Sequence, residues 1–245
     1  MITLNNPDKP MSGPLFVACE TKQSVELVST LIAHRADVNQ VTKARLSPLY
    51  ITCENSQASI VKTLLTHSAN PLLPTAQGAS AIYAAVQNND PTILSLLLTH
   101  LSNNPISPKS PDNPVDMGVE GFTPLYMASE DGAEKVLELL LAFKANPLLP
   151  GPLGVSSLYI ACMQGHKGCV SRLLEAKADP LQITDSGETA LQVANEQKHT
   201  EIVDLLTKSL IEHAPTVVEV APGTHLERVG SESTAETGPV VSYVP

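Results

Sequence analysis

The chain has 245 residues, a net charge of −10, 42% apolar residues, only 3% aromatic residues and no tryptophan. The acidic surplus argues against a nucleic-acid partner, because phosphate binding needs Lys and Arg gathered on one face. No run of 18 or more apolar residues is available to cross a bilayer, and the length allows one or two domains.

Residues 1–11 (MITLNNPDKPM) form a polar lead-in without the apolar core of a secretory signal, so a cytoplasmic location is expected. From residue 12 onward one unit recurs, and it is clearest at 122–150, FTPLYMASEDGAEKVLELLLAFKANPLLP. Thr123 is a good N-cap, and Pro124 suits the first helical position, where no N–H is needed. Residues 125–128 predict a short first helix, stopped by Gly132, which accepts a left-handed backbone. Val136, Leu137, Leu140 and Leu141 recur at helical spacing and predict a second helix with one apolar face. Asn146-Pro147 is expected to end that helix and turn the chain outward.

Stepping from the Pro124 position gives Pro14, Pro48, Ala81, Pro124, Ser157 and Ala190, with steps of 34, 33, 43, 33 and 33. The next position reads Leu15, Leu49, Ile82, Leu125, Leu158 and Leu191. The one after reads Phe16, Tyr50, Tyr83, Tyr126, Tyr159 and Gln192, so four of the five tyrosines share one position. A period of this length is the signature of a solenoid.

In chain order, the first unit carries one extra residue between its helices, and its second helix offers Leu27, Val28, Leu31 and Ile32 to the core. The second ends in an apolar finger, Pro71-Leu72-Leu73-Pro74. The third ends in SNNPISPKSPDNPVDMGVEG (102–121), whose prolines and polar residues predict an enlarged loop and not a helix. The fourth carries a second apolar finger, Pro147-Leu148-Leu149-Pro150, followed by the tip Gly151-Pro152-Leu153-Gly154. In the sixth, Gln192, Asn195, Glu196, Gln197 and Lys198 replace apolar residues, as a solenoid's C-terminal cap requires, while Ile202, Val203, Leu205 and Leu206 close the core. From Ala214 the register is lost, and residues 214–245 read as a disordered tail.

Ser47-Pro48-Leu49 and Thr123-Pro124-Leu125, the Ala36-Asp37, Ala69-Asn70 and Ala178-Asp179 pairs, Gly165-His166, and Gly78, Gly121, Gly154 and Gly187 together resemble the ankyrin-repeat family. The resemblance covers residues 12–212 as six repeats. It departs from the family at Arg45 in the glycine position, at Ala81, Ser157 and Ala190 for proline, and at the tyrosines standing where histidine is usual. It implies an all-α solenoid of stacked helix–turn–helix units with outward fingers, over a domain of residues 12–213, and a non-enzymatic protein–protein interaction module, a monomer.

Cys19, Cys53 and Cys162 share one position near the end of a first helix, and Cys169 lies inside a second helix. Stacked helices sit about 8–10 Å apart, beyond the roughly 7 Å that bridged cysteine Cα atoms tolerate, so all four read as buried, reduced residues. His34, His67 and His100 are spaced by 33 and 33, and His166 and His199 by 33. Residues one unit apart cannot converge on one ion at about 2.0–2.1 Å, so these imidazoles read as groups near helix C-termini or as hydrogen bonds between units. No phosphate loop, GxSxG, HExxH or CxxC occurs. Catalytic, cofactor-binding and metal-ligating residues are therefore expected to be none.

In the family, partners lie along the concave side, built from finger tips and first-helix ends. Carried over, those ends are Glu20 and Thr21, Glu54 and Asn55, Gln87 and Asn88, Glu130 and Asp131, Met163 and Gln164, and Glu196 and Gln197, a ridge with five carboxylates and no Lys or Arg. The adjoining fingers offer Leu72, Leu73, Leu148, Leu149 and Leu153. Such a surface suits a protein partner that is basic and partly apolar. The tail, with Glu227, Glu232 and Glu236 among Ser, Thr and Gly and with Val240, Val241 and Val244 at its end, resembles C-terminal translocation signals of bacterial type IV effectors. That resemblance implies a protein secreted into a host cytosol.

Overall fold

The computed structural model describes residues 12–104 and 114–213. The predicted lead-in (1–11), the predicted tail (214–245) and the middle of the enlarged loop (105–113) lie outside the described residues. The described chain forms twelve α-helices in six pairs: α1 (Pro14–Glu20) and α2 (Val25–Ala33), α3 (Pro48–Glu54) and α4 (Ala58–Thr66), α5 (Ala81–Gln87) and α6 (Pro91–Asn103), α7 (Pro124–Glu130) and α8 (Glu134–Ala142), α9 (Ser157–Gln164) and α10 (Lys167–Glu175), α11 (Ala190–Glu196) and α12 (Thr200–His213). Odd-numbered helices pack on odd and even on even, which gives a two-layered solenoid whose successive pairs are joined by outward connections.

Every expected start position is the first residue of an odd-numbered helix. The reason is local: Ser47, Ser80, Thr123, Ser156 and Thr189 each accept a hydrogen bond from the backbone N–H three residues on, satisfying a donor the helix leaves unpaired. Ala81, Ser157 and Ala190 replace proline without loss of this cap. Α second local device marks the fingers: the side chains of Asp37, Asn70, Asn146 and Asp179 accept from the N–H two residues on.

The core is built from equivalent positions. The leucine position is buried from Leu15 to Leu158, and small residues at Ala18, Ala85, Ala128, Ala161 and Ala194 let first helices approach closely. On the second helices, the third residue (Ile60, Ile93, Val136, Cys169, Ile202) and the fourth (Val28, Val61, Leu94, Leu137, Val170) are buried. Leu27, expected in the core, is instead 37% exposed, because it holds that third position in the pair that no described pair precedes. All four cysteines are free and buried.

Two expectations about helix ends need correction. Asn146-Pro147 does not end α8, which stops at Ala142; Lys144 takes the left-handed conformation (φ 64°) there, as Arg35, Ser68 and Lys177 do at the same position of other pairs. The 102–121 stretch is not wholly loop: α6 runs through Ser102 to Asn103, a 3-10 turn spans Pro114–Asp116, and Val119 bridges Phe122 around a tight turn at Glu120-Gly121. Val115 is buried and Asp116 accepts from Asn146 N at 2.9 Å, so the chain is back in register before the finger begins.

Candidate functional site

Each first helix is two turns long, so its last residues and cap reach the surface in the same register in every pair. Glu54, Gln87, Asn88, Glu130, Asp131, Gln164, Glu196 and Gln197 are exposed, and Glu20, Asn55 and Met163 are half-buried. The carbonyls beneath this row are closed from the next pair. Gln57 Nε2 donates to Cys19 O (3.1 Å), Asn88 Nδ2 to Cys53 O (3.2 Å) and Glu54 O (2.6 Å), His166 Nε2 to Glu130 O (2.9 Å) and His199 Nε2 to Met163 O (3.3 Å). Two of the histidines therefore tie pairs together. His34 and His67 instead sit at second-helix ends, each Nδ1 bonded to the carbonyl four residues back. Among the described residues no group of three or more His, Cys, Asp or Glu could hold a metal ion.

The ridge is less purely acidic than the sequence suggested. The left-handed turn that follows it holds Lys22 (φ 54°) in the first pair and Lys198 (φ 61°) in the last, both exposed, so the uncompensated carboxylates are those of the middle pairs.

The tyrosine position braces the fingers that follow α8 and α10. Gly151 leaves no room for a Cβ against the ring of Tyr126, and Tyr159 Oη donates to Glu188 Oε2 at 2.9 Å. Burial, and then neighbouring carboxylates, raise all four of these phenols: Glu54 beside Tyr50, Glu120 beside Tyr83, Glu130 beside Tyr126, and Glu188 and Glu196 beside Tyr159, which is pushed up to about 12.

The finger leucines divide. Leu148 (49%) and Leu153 (76%) are exposed, while Leu72, Leu73 and Leu149 are half-buried and Leu72 packs against the core. Two residues of the last finger that the sequence reading did not name, Leu181 (65%) and Ile183 (58%), are exposed as well. The signal was present: Leu181 stands one period of 33 after Leu148, but Gln182 and Ile183 break the Pro-Leu-Leu-Pro pattern used to find the fingers.

The family model for ankyrin repeats in three copies matches residues 15–112 and 144–216, and the single ankyrin-repeat model matches 120–151. Among solved structures, the chain is similar to the ankyrin repeat domain of human ASB11 (27% identity, 81% of this chain and 84% of that one, TM-score 0.65). It is also similar to an ankyrin repeat domain from Acinetobacter baumannii AYE (21%, 80% and 97%, 0.71) and to the ankyrin repeat protein EF0377 (23%, 81% and 98%, 0.70), two likenesses that speak to the fold alone. No curated protein sequence matches the chain.

Proposed function

Because the chain belongs to the ankyrin-repeat family, whose domains bind protein partners, we propose that it is a non-enzymatic interaction scaffold of six repeats over residues 12–213. Its partner lies along the row of first-helix ends and the neighbouring finger tips. The observation that carries this reading is the regular row of exposed polar ends, Glu54, Gln87, Asn88, Glu130, Asp131 and Gln164, beside the exposed apolar Leu148 and Leu153. Carboxylates without neighbouring cations favour a basic partner, and the exposed leucines favour one with apolar side chains of its own. Among the described residues no helix is long and apolar enough to cross a membrane, in keeping with a partner met in the aqueous phase.

The test is cross-linking capture from lysate by the full chain, by Glu54→Lys with Glu130→Lys, and by Asp204→Lys on the opposite layer. The reading expects the ridge variant to lose what the wild type and the control both retain. Equal capture by all three, with melting unchanged, removes the partner from this surface.

A second reading concerns export. The Glu, Ser and Thr composition of 214–245 and its Val240-Val241 end support a translocation signal, with delivery of the scaffold into a host cell. A reporter carrying residues 214–245 that never leaves a secretion-competent bacterium would sink it.

A further inference from the structure

Directed bonds between helices close every seam of the solenoid but one. Gln57 of the second pair reaches Cys19 O in the first, and Asn88 of the third reaches Cys53 O and Glu54 O in the second. Across the seam of the fourth and fifth pairs His166 reaches Glu130 O, and Arg172 of α10 pairs with Glu134 (3.7 Å) and Glu138 (2.6 Å) of α8. Across the last seam His199 reaches Met163 O, and Lys167 pairs with Glu201 (3.0 Å). Among the described residues no hydrogen bond or ion pair joins α5 or α6 to α7 or α8.

The sequence accounts for the gap at two places. The position of Gln57, His166 and His199 is held in the fourth pair by Ala133, which has no side-chain donor, and a cleft of about 550 Å³ lies there between Asn89, Pro91, Ala133 and Glu138. The fingers show the same interruption. Ala76 N donates to Ala44 O (3.1 Å) and Asp185 N to Leu153 O (2.9 Å), each joining two successive fingers. The matching donor in the fourth finger is Pro152, which has no N–H to offer Glu120 O. The bond from Asn146 N to Asp116 Oδ1 (2.9 Å) does cross this seam, but it ties the connection and not the helices.

The seam is closed by apolar packing of α5 on α7 and of α6 on α8. Such contact is non-directional, whereas the bonds at the other seams also fix how two pairs sit on each other. In a stacked array, stability is a sum of unit terms and nearest-neighbour terms, so the weakest interface sets where the array divides. We propose that the seam between the third and fourth pairs is a built-in break, at which residues 12–104 and residues 114–213 open and unfold as two cooperative bodies. Each body holds three pairs, enough for a stacked array to stand by itself. The row of first-helix ends passes from one body to the other between Asn88 and Glu130.

Hydrogen exchange of the full chain, followed by mass spectrometry through a urea series, tests this without any partner. Below the midpoint of global unfolding the amides of α1–α6 and of α7–α12 are expected to lose protection in two steps. The two levels should differ at least about tenfold, as separate cooperative units do, with the change falling between Asn104 and Pro114. Ala133→Gln, which supplies the side chain that α4 uses, and Ala133→His, which supplies that of α10 and α12, restore a donor at the seam. At least one of them is expected to narrow the difference by about fivefold, the factor that one net hydrogen bond provides. Loss of protection in a single step, a gradual decline inward from both ends, or a boundary at another seam overturns the break. So does a difference that neither substitution changes.

Discussion

His166 Nε2 donates to the main-chain oxygen of Glu130 at 2.9 Å, so the residue that opens α10 also closes the C-terminus of α7. His199 does the same for α9 from the start of α12, and Gln57 for α1 from the start of α4. In the fourth pair the equivalent residue is Ala133, and a cleft of about 550 Å³ lies there, lined by Asn89, Pro91, Gly132, Ala133, Glu134, Lys135 and Glu138. The seam between the third and fourth pairs lacks the tie that the others have.

Ala133→His is therefore expected to stabilise the protein. Its ring has space, and the Gln87 carbonyl is the equivalent acceptor. One such bond contributes about 1 kcal/mol, which for a domain of this size raises the melting temperature by about 2–4 °C. His166→Ala, which removes an existing tie, should lower it by a similar amount. A neutral or destabilising Ala133→His, read by calorimetry, would mean the cleft does not accept the ring.

Gly154 and Gly187 share a position and a left-handed backbone (φ 72° and 83°) but differ in what surrounds them. A Cβ on Gly187 meets nothing within 4 Å, whereas one on Gly154 would lie 2.7 Å from Asp185 Oδ1 and 2.9 Å from Asp185 N. Gly187→Ala should cost only the left-handed strain, about 1–2 kcal/mol. Gly154→Ala should cost clearly more, since it also disturbs the Asp185 N–H donated to Leu153 O (2.9 Å) that joins the two fingers. Urea unfolding of the two variants side by side checks the order.

Burial pushes the thiols of Cys19 and Cys162 up to about 12 and Cys169 to about 11, and Cys53 higher still, all from 9.0. These groups are neutral when protonated, so in alkali the unfolded chain loses protons first. Their stabilising contribution is whole below about pH 9 and falls as the pH climbs toward the folded values. The melting temperature should be flat from about pH 7 to about pH 8.5 and then drop steeply, with Tyr159 adding to the loss above about pH 10. Titration with a thiol reagent should likewise be slow until unfolding. Rapid labelling of Cys19, Cys53 and Cys162 in the native protein would contradict their burial.

With a captured partner in hand, charge and apolar contact should separate kinetically. Glu54→Lys with Glu130→Lys should slow association several-fold and flatten its salt dependence, because ridge charges act mainly at long range. Leu148→Ser with Leu153→Ser should instead raise the dissociation rate, since apolar contact forms only in the complex. Leu181→Ser extends the test to the last finger. Surface plasmon resonance at two salt concentrations distinguishes these effects, and matching changes in both rates from both variants would defeat the division.

The register was readable from the chain alone because its determinants are local. A Ser or Thr cap bonds an N–H three residues away, an Asp or Asn turn closes over two, and both recur with the repeat whatever packs around them. The helix starts, the buried cysteines and the polar last pair followed from that arithmetic. Tertiary structure decided where helices stop and which apolar residues stay uncovered. Α helix continues as long as its next residue finds a partner or water, so α6 outran its loop-like sequence to Asn103 and α8 stopped short of Asn146-Pro147. Leu72 and Leu148 occupy matching fingers, yet the first packs on the core and the second meets solvent. Leu27 is exposed where Ile60 is buried because only the later one has a described pair before it. Exposure depends on the neighbouring surface as well as on the residue, and a periodic sequence repeats the residue without repeating the neighbour.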